Sequence, residues 1–234
     1  MSRPPERLLE LAERNLGALV ITIEFTLISV MVGVILFPLM DHAQEVLRDL
    51  RFEYWLYILS GLLLILYVWT EVISHSLSFI GWPIEFGHNL LYILFALILA
   101  IQMNFLADPR GWFALSLVSS LVGALVVIYD RRVIERRLVG AQGSAASLYR
   151  LALDRQDGLI RVLPLTILNA VVDVALIVAF PDFFLARAGH LILVAIQILA
   201  FMILLIRTTH TFGTWIDAIA QRGADELAEE EGPG

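Results

Sequence analysis

The chain has 234 residues, of which 59% are hydrophobic and 17% charged, with a net charge of −7 and a mean hydropathy of +0.81. A soluble domain is about half apolar and about a quarter charged, so this composition excludes an ordinary soluble fold and indicates a membrane protein. The absence of cysteine excludes disulfides, thiolate metal sites and cysteine nucleophiles. The absence of lysine excludes a retinal Schiff base, and no basic patch with interleaved aromatic residues predicts a nucleic-acid partner.

The first predicted element is a short amphipathic helix at residues 1–17. Pro4 and Pro5 suit a helix start, and the leucines that follow form an apolar side that suits the inner membrane surface. A solvated cytoplasmic helix is the alternative. The mixture of arginine and glutamate in this segment argues against a cleavable signal peptide.

Six later segments have the roughly 20 mostly apolar residues that a spanning helix requires. Because an open strand cannot satisfy its backbone in lipid, each segment is predicted to be helical. They cover approximately residues 18–40, 54–74, 86–106, 111–129, 162–180 and 188–206. The predicted fold class is therefore an all-α integral membrane protein, a bundle of six transmembrane helices.

The arginines predict the orientation of the bundle. If the N-terminus is inside, twelve of the sixteen arginines lie on the cytoplasmic side, so the positive-inside rule predicts that both termini are cytoplasmic. The charged run at residues 130–137, directly after the fourth span, is the strongest anchor. The predicted location is the inner (plasma) membrane, crossed several times.

The connecting segments divide the chain into parts. A four-helix transmembrane unit at 18–129 is followed by a cytoplasmic linker at 130–161, a transmembrane hairpin at 162–207 and an acidic cytoplasmic tail at 208–234. The linker contains the small and polar residues 140–147, which are typical of a flexible break. The tail ends in five acids without a base, which predicts a solvated, disordered end.

Ionisable groups inside a span cost about 2.5–3.5 kcal/mol each, so they indicate a site, a pathway or a paired contact. With Asn169, the candidates form a polar cluster: Glu24, Glu71, His75, Glu85, His88, Asn169 and Asp173. In the predicted orientation the glutamates and histidines share the cytoplasmic third of the membrane. Asp173 follows Asn169 by one helical turn and is expected near the middle of the membrane.

The glutamates and histidines of this cluster also have spacings that suit metal binding. Glu71 and His75 are four residues apart and Glu85 and His88 three apart, so each pair shares a helix face. Bundles hold paired metals with Glu-x-x-His and further carboxylates, and two histidines can ligate haem or one divalent metal. Only one Glu-x-x-His pair is present. The same residues also suit a purely structural role, pairing with arginine near the inner surface.

Three helices carry further polar patterns. On the first span, the small and polar residues lie on the side opposite Glu24: Thr22, Thr26, Ser29 and Gly33. On the third, one stripe is either a core face or a route through the bundle: His88, Tyr92, Phe95, Leu99 and Gln102. On the fourth, small residues predict close helix packing: Ser116, Ser119, Ser120 and Gly123.

The function predicted from this cluster is a small membrane channel or transporter for protons or cations. No nucleophile elbow, P-loop or dinucleotide fingerprint is present, so the sequence favours a protein without enzymatic activity. Two alternatives stay open, a membrane-embedded metal or haem protein with Glu and His ligands, and a non-catalytic membrane subunit or scaffold. The expected partners are the lipid bilayer, a proton or metal cation, and either further copies of the chain or a membrane partner subunit.

Overall fold

The computed structural model describes the backbone of residues 4–78 and 86–231, where it contains helices and turns and no strand. Side chains are described from residue 22 to 73, apart from Glu24, and from 87 to 213, apart from 144, 145, 148 and 212. The α-helices are α1 (Pro4–Arg48), α2 (Trp55–Ser78), α3 (Phe86–Met103), α4 (Pro109–Leu138), α5 (Gly143–Ala179) and α6 (His190–Glu231).

Five segments of the described helices are long and apolar enough to cross a membrane: Phe25–Arg48, Phe52–Ile73, Pro109–Leu138, Tyr149–Ala179 and His190–Thr211. The apolar part of α3, Gly87–Met103, is shorter. The 18 residues of α3 extend about 27 Å at 1.5 Å per residue, slightly less than a hydrocarbon core of about 30 Å. The chain is a membrane-embedded helical bundle, and its count of six spans and the orientation of its termini stay predictions.

Polar and apolar side chains are distributed in the way that lipid requires. Large apolar side chains such as Phe37 and Val178 are exposed on the outside of the bundle, whereas Gln102, Asp130 and Asp173 are each at most 3% exposed. In water this arrangement would be unfavourable, because apolar surface would be hydrated and polar groups desolvated. In a bilayer the exposed apolar faces contact acyl chains, and the polar groups bond to each other.

The helices pack as a connected bundle with two distinguishable ends. α4 packs mainly against α5 and α3, α2 against α6, and α1 against α2 and α3. We call the end at which α4 and α5 are connected, through residues 139–142, the linker end. The opposite end, at which α5 and α6 are connected through residues 180–189, is the hairpin end. A core of apolar side chains from all six helices includes Leu39, Tyr57, Leu99, Trp112 and Val194.

Local sequence explains two of the helix boundaries. The carboxylate of Asp108 accepts a hydrogen bond from the backbone N–H of Arg110 at 3.0 Å, and Pro109 stands at the first helical position, so α4 begins with a capped turn. At the hairpin end, Ala188 adopts a left-handed φ of 57°. The backbone N–H of Gly189 then donates to the carbonyl oxygen of Phe183 at 3.1 Å, which closes the turn into α6.

Three segments differ from what the sequence analysis expected. Within the expected linker at 130–161, only residues 139–142 separate α4 from α5. Arginine, leucine and glutamate there are good helix formers, and Arg131 pairs with Glu135 one turn away. From Pro4 onward the expected surface helix is continuous with the first span, and the expected disordered tail is helical as far as Glu231.

Candidate functional site

Two layers of buried and partly buried polar side chains lie in the described region, one near each end of the bundle. The linker layer contains Glu71, His88, Tyr92, Asp130, Arg155 and Thr208. The hairpin layer contains Tyr57, Trp112, Asn169, Asp173, His190 and Gln197. At 1.5 Å per residue, Glu71 lies about 24 Å along α2 from its start, whereas Asp173 lies about 9 Å from the end of α5.

The first contact of the linker layer joins α3 to α4. Nδ1 of His88 lies 2.7 Å from Oδ1 of Asp130, and the hydroxyl of Tyr92 donates to Oδ2 of the same carboxylate at 3.2 Å. The His88 and Tyr92 rings contact each other, with centroids 4.4 Å apart. The Asp130 side chain is 2% exposed and that of His88 10% exposed, so the carboxylate depends on these donors in place of water.

The second contact joins three helices. Nη2 of Arg155 on α5 donates to Oε2 of Glu71 on α2 at 2.7 Å, and the hydroxyl of Thr208 on α6 donates to Oε1 of Glu71. Both charged side chains are 18% exposed. The two contacts lie close together, because the hydroxyl of Tyr92, which bonds to Asp130, also interacts electrostatically with Glu71 and Arg155.

The hairpin layer surrounds the carboxylate of Asp173, which is 3% exposed. Nδ2 of Asn169 donates to Oδ2 of Asp173 at 3.1 Å, and the side chain of Gln197 on α6 bonds to the same carboxylate. Nε1 of Trp112 on α4 donates to Oε1 of Gln197 at 3.0 Å. Since that oxygen accepts from the indole, the Gln197 amide N–H faces Asp173, and the chain of bonds crosses from α4 through α6 to α5.

A second pair extends the hairpin layer to α2. The hydroxyl of Tyr57 lies 2.9 Å from Nδ1 of His190, and its ring meets the ring of Trp112 edge-on, at 5.4 Å between centroids and 86° between planes. Nearby, Nε2 of Gln102 on α3 donates to Oγ of Ser116 on α4 at 2.9 Å. Side chains of α2 to α6 therefore meet at this end of the bundle.

Apolar residues separate the two layers. On α2, the buried Leu64 and Ile65 lie between Tyr57 and Glu71, and on α4 the buried Ala124 and Val126 lie between Ser119 and Asp130. On α6, the partly buried Ile198 and Phe201 follow Gln197. This zone is packed as a core, so the structure represents a state in which the two layers are not connected by polar groups on these helices.

The structure brings together some of the residues that the sequence analysis selected. Glu71 and His88 belong to the same layer but bind different partners, and Asn169 and Asp173 bond to each other. Asp173 lies six residues before the end of α5, and its expected mid-membrane depth stays a prediction. The side chains of Glu24 and His75, and the whole of Glu85, lie outside the described residues.

Packing on two of the three predicted helix faces follows the patterns in the sequence. The α3 stripe faces the interior, with Leu99 and Gln102 at most 1% exposed. The small-residue face of α4 receives α3, because Ser119 donates to Gln102 at 3.3 Å and a Cβ on Gly123 would stand 3.5 Å from the Phe95 ring. On α1, the exposed Thr26 and Ser29 instead donate to backbone carbonyls one turn earlier.

Several members of the layers were missed by sequence reasoning. The sequence pattern places Asp130 in the cytoplasmic anchor and Arg155 in the cytoplasmic linker, and it assigns no site role to Trp112, Gln197 or Thr208. A signal for Asp130 was present, because it lies four residues after Val126 and three and four before Val133 and Ile134, which are all buried. Residues at this spacing share a helix face, so the apolar periodicity continues through the charged run.

The metal-binding hypothesis stays a prediction. Among the residues with described side chains, no three His, Asp or Glu come together in a group that could hold a metal ion. Glu71 and His88 are occupied by Arg155 and Asp130. The remaining predicted ligands, His75 and Glu85, are not among those residues.

The geometry therefore defines a helical membrane bundle with two buried polar layers, and a fold of this kind does not by itself identify a function. Comparison with known proteins adds no constraint: no protein-family model, curated protein or solved structure matches the chain.

Proposed function

We propose that the chain is a proton- or cation-translocating membrane protein in which the two polar layers are the binding stations. The observation that carries this proposal is a set of three carboxylates on three different helices, the buried Asp130 and Asp173 and the partly buried Glu71, each bonded across to another helix. Such groups are costly inside a membrane and commonly lie on ion or proton pathways. Apolar side chains would hold the helices together at lower cost.

The separation of the layers supports a gated pathway. Each layer lies near one surface of the bundle, and an apolar zone stands between them, as in hydrophobic constrictions that gate channels. A proton can be held at either layer without a continuous pore. Protonation of Asp173 removes its negative charge, which weakens the bonds from Asn169 and Gln197 and frees α5 and α6 to move relative to each other.

Proton flux into liposomes tests this proposal directly. Purified chain is reconstituted with an internal pH-sensitive dye, and a potassium gradient with valinomycin drives proton entry. We expect Asp173→Asn, which keeps shape and hydrogen bonding but does not titrate, to reduce flux at least tenfold. Asp182→Asn, at an exposed position in the hairpin turn, is the matched control and should leave flux unchanged. Equal flux in wild type and Asp173→Asn contradicts the proposal.

A non-catalytic membrane subunit is the second candidate, and one observation favours it. Every carboxylate of the two layers already has donors from neighbouring side chains, as a structural contact requires. This candidate predicts no proton flux in wild type and co-purification with a partner. The third candidate, a metal or haem protein, predicts near-stoichiometric metal or a Soret band in detergent-purified protein, and measurement of both tests it.

A further inference from the structure

Near the linker end, Gly158 of α5 stands between two arginines of its own helix and contacts a third from α6. A Cβ built on Gly158 of α5 would meet only one neighbour within 4 Å, the Nη2 of Arg207 on α6, at 3.4 Å. Arg155 precedes Gly158 by three residues and Arg161 follows it by three. At 100° per residue these three positions of α5 lie within a sector of about 120°, so the guanidinium of Arg207 rests on the helix face between the other two arginines.

The cluster carries more positive than negative charge. Arg155 forms an ion pair with Glu71 at 2.7 Å. Arg207 belongs to the same surroundings, because Tyr67 interacts electrostatically with Arg207 as well as with Arg155 and Glu71. Within the part of the chain that the structure describes, no carboxylate lies at ion-pair distance from Arg161 or Arg207, and both residues are exposed. Two guanidinium groups without a described counter-ion therefore face outward beside a residue that has no side chain.

The depth of these arginines identifies the environment they face. Arg207 lies 17 residues after the start of α6, and Arg161 lies 18 residues before the end of α5. At 1.5 Å per residue, both are about 25–27 Å from the hairpin end. The hydrocarbon core of a bilayer is about 30 Å thick, so two arginines at matching depth stand where acyl chains give way to headgroups.

Between the arginines and the hairpin end, the surface of α5 and α6 is suited to contact with acyl chains. α5 packs mainly on α4 and α6 mainly on α2, although α5 and α6 are consecutive. Toward the hairpin end, Leu165 and Leu168 of α5 and Ile203 of α6 are each more than half exposed. An amphiphile with an anionic head and apolar tails matches both parts of this surface.

We propose that Arg161 and Arg207, on either side of Gly158, bind the anionic headgroup of a phospholipid at the linker end of α5 and α6. Guanidinium groups bind phosphate oxygens in a bidentate geometry, and basic pockets between transmembrane helices bind anionic headgroups. Because Gly158 has no side chain, the guanidinium of Arg207 lies directly against α5, on the same side of the helix as Arg161. The inference is independent of the transport proposal, since it uses neither Asp173 nor proton movement.

Native mass spectrometry of delipidated, detergent-purified protein tests the site. We expect wild type to bind dioleoyl phosphatidylglycerol in preference to dioleoyl phosphatidylcholine. An arginine near the membrane surface contributes about 1 kcal/mol of attraction to anionic lipid, so Arg161→Gln with Arg207→Gln should weaken phosphatidylglycerol binding about 30-fold. The matched control, Arg110→Gln with Arg187→Gln, removes the same charge from exposed positions of the hairpin end and should retain wild-type binding.

Two further arms make the outcome decisive. Arg161→Lys with Arg207→Lys keeps the charge but not the bidentate geometry and should restore part of the binding, which separates headgroup recognition from a folding defect. Inorganic phosphate and glycerophosphoglycerol are added as competitors, and displacement of lipid by either at concentrations equal to that of the lipid would identify a soluble phosphate ligand in place of a phospholipid. Equal binding of both lipids by wild type, or unchanged binding by the double glutamine variant, overturns the proposal.

Discussion

His88 and Asp130 are 42 positions apart in the chain, and their side chains meet at 2.7 Å inside the bundle. This contact fixes α3 against α4 near the linker end, and the hydroxyl of Tyr92 shares the same carboxylate. The pair lies beside the Glu71–Arg155 contact, which joins α2 to α5. Two neighbouring cross-helix contacts therefore hold the linker end, and each leads to its own prediction for stability.

Asp130→Ala should destabilise the protein, because it removes the carboxylate that Nδ1 of His88 and the hydroxyl of Tyr92 share. An unsatisfied buried donor costs about 1–3 kcal/mol, and we expect a loss of that size in the free energy of unfolding, measured by SDS titration of protein in mixed micelles. Asp154→Ala, at an exposed position of α5, is the control and should be nearly neutral. If the two variants unfold at the same SDS fraction, the contact does not stabilise the bundle.

The contrast between His88 and Asp130 also shows what the sequence can and cannot predict. His88 was identified because an ionisable residue inside an apolar helix is conspicuous, and the same reasoning found Glu71 and Asp173. Asp130 was assigned to the water phase because four arginines follow it within seven residues. Hydropathy averages over a window and so ends the fourth span early, whereas the helical face that buries Asp130 continues to Ile134.

Partners of the selected residues were harder to predict than the residues themselves. Single-sequence reasoning gives helices and faces, but it gives neither the rotation of one helix against another nor the pairing order. Glu71 was expected to lie near His75 on its own helix and near Glu85 and His88 on the next, and among the described residues it contacts Arg155 and Thr208 from helices later in the chain. Such contacts depend on how α5 and α6 lie beside α2 near the linker end, which the local sequence pattern does not encode.

Glu71→Gln alone should be more harmful than Glu71→Gln combined with Arg155→Gln. The single variant leaves the guanidinium of Arg155, 18% exposed, without its counter-charge, and removing one partner of a buried pair costs more than removing both. We expect a loss of about 1–3 kcal/mol for the single variant, and partial recovery in the double variant, measured by the same unfolding titration. A double variant less stable than the single one would contradict this assignment of the pair.

Trp112→Phe should uncouple Gln197 from α4 while keeping an aromatic ring against Tyr57. The variant removes the indole N–H that donates to Oε1 of Gln197 at 3.0 Å, so we expect a loss of about 1–2 kcal/mol from the bond and the smaller ring. Gln197→Leu removes the acceptor of this bond and keeps a side chain of similar size. A double-mutant cycle of the two substitutions should show a coupling energy of about 0.5–3 kcal/mol, and strictly additive effects would show that the bond does not stabilise the protein.

Two glycine-to-alanine substitutions should change stability in opposite directions. At Gly189 in the hairpin turn, a Cβ would stand 2.9 Å from the carbonyl oxygen of Phe183 and 2.6 Å from its ring. The backbone oxygen cannot move without breaking the bond that closes the turn, so Gly189→Ala should cost about 1–3 kcal/mol. At Gly33 on α1, a Cβ would meet nothing within 4 Å.

Gly33→Ala should therefore be neutral or stabilising by up to about 1 kcal/mol, the difference in helix propensity between the two residues. Thermal unfolding of both variants in the same detergent, followed by the loss of helical circular dichroism, checks the prediction. Both variants add the same methyl group. Opposite changes in the unfolding temperature would therefore show that the close approach of Phe183 to Gly189 causes the destabilisation. If Gly189→Ala unfolds at the wild-type temperature, the turn adapts to a side chain and the hairpin end is less tightly closed than these contacts indicate.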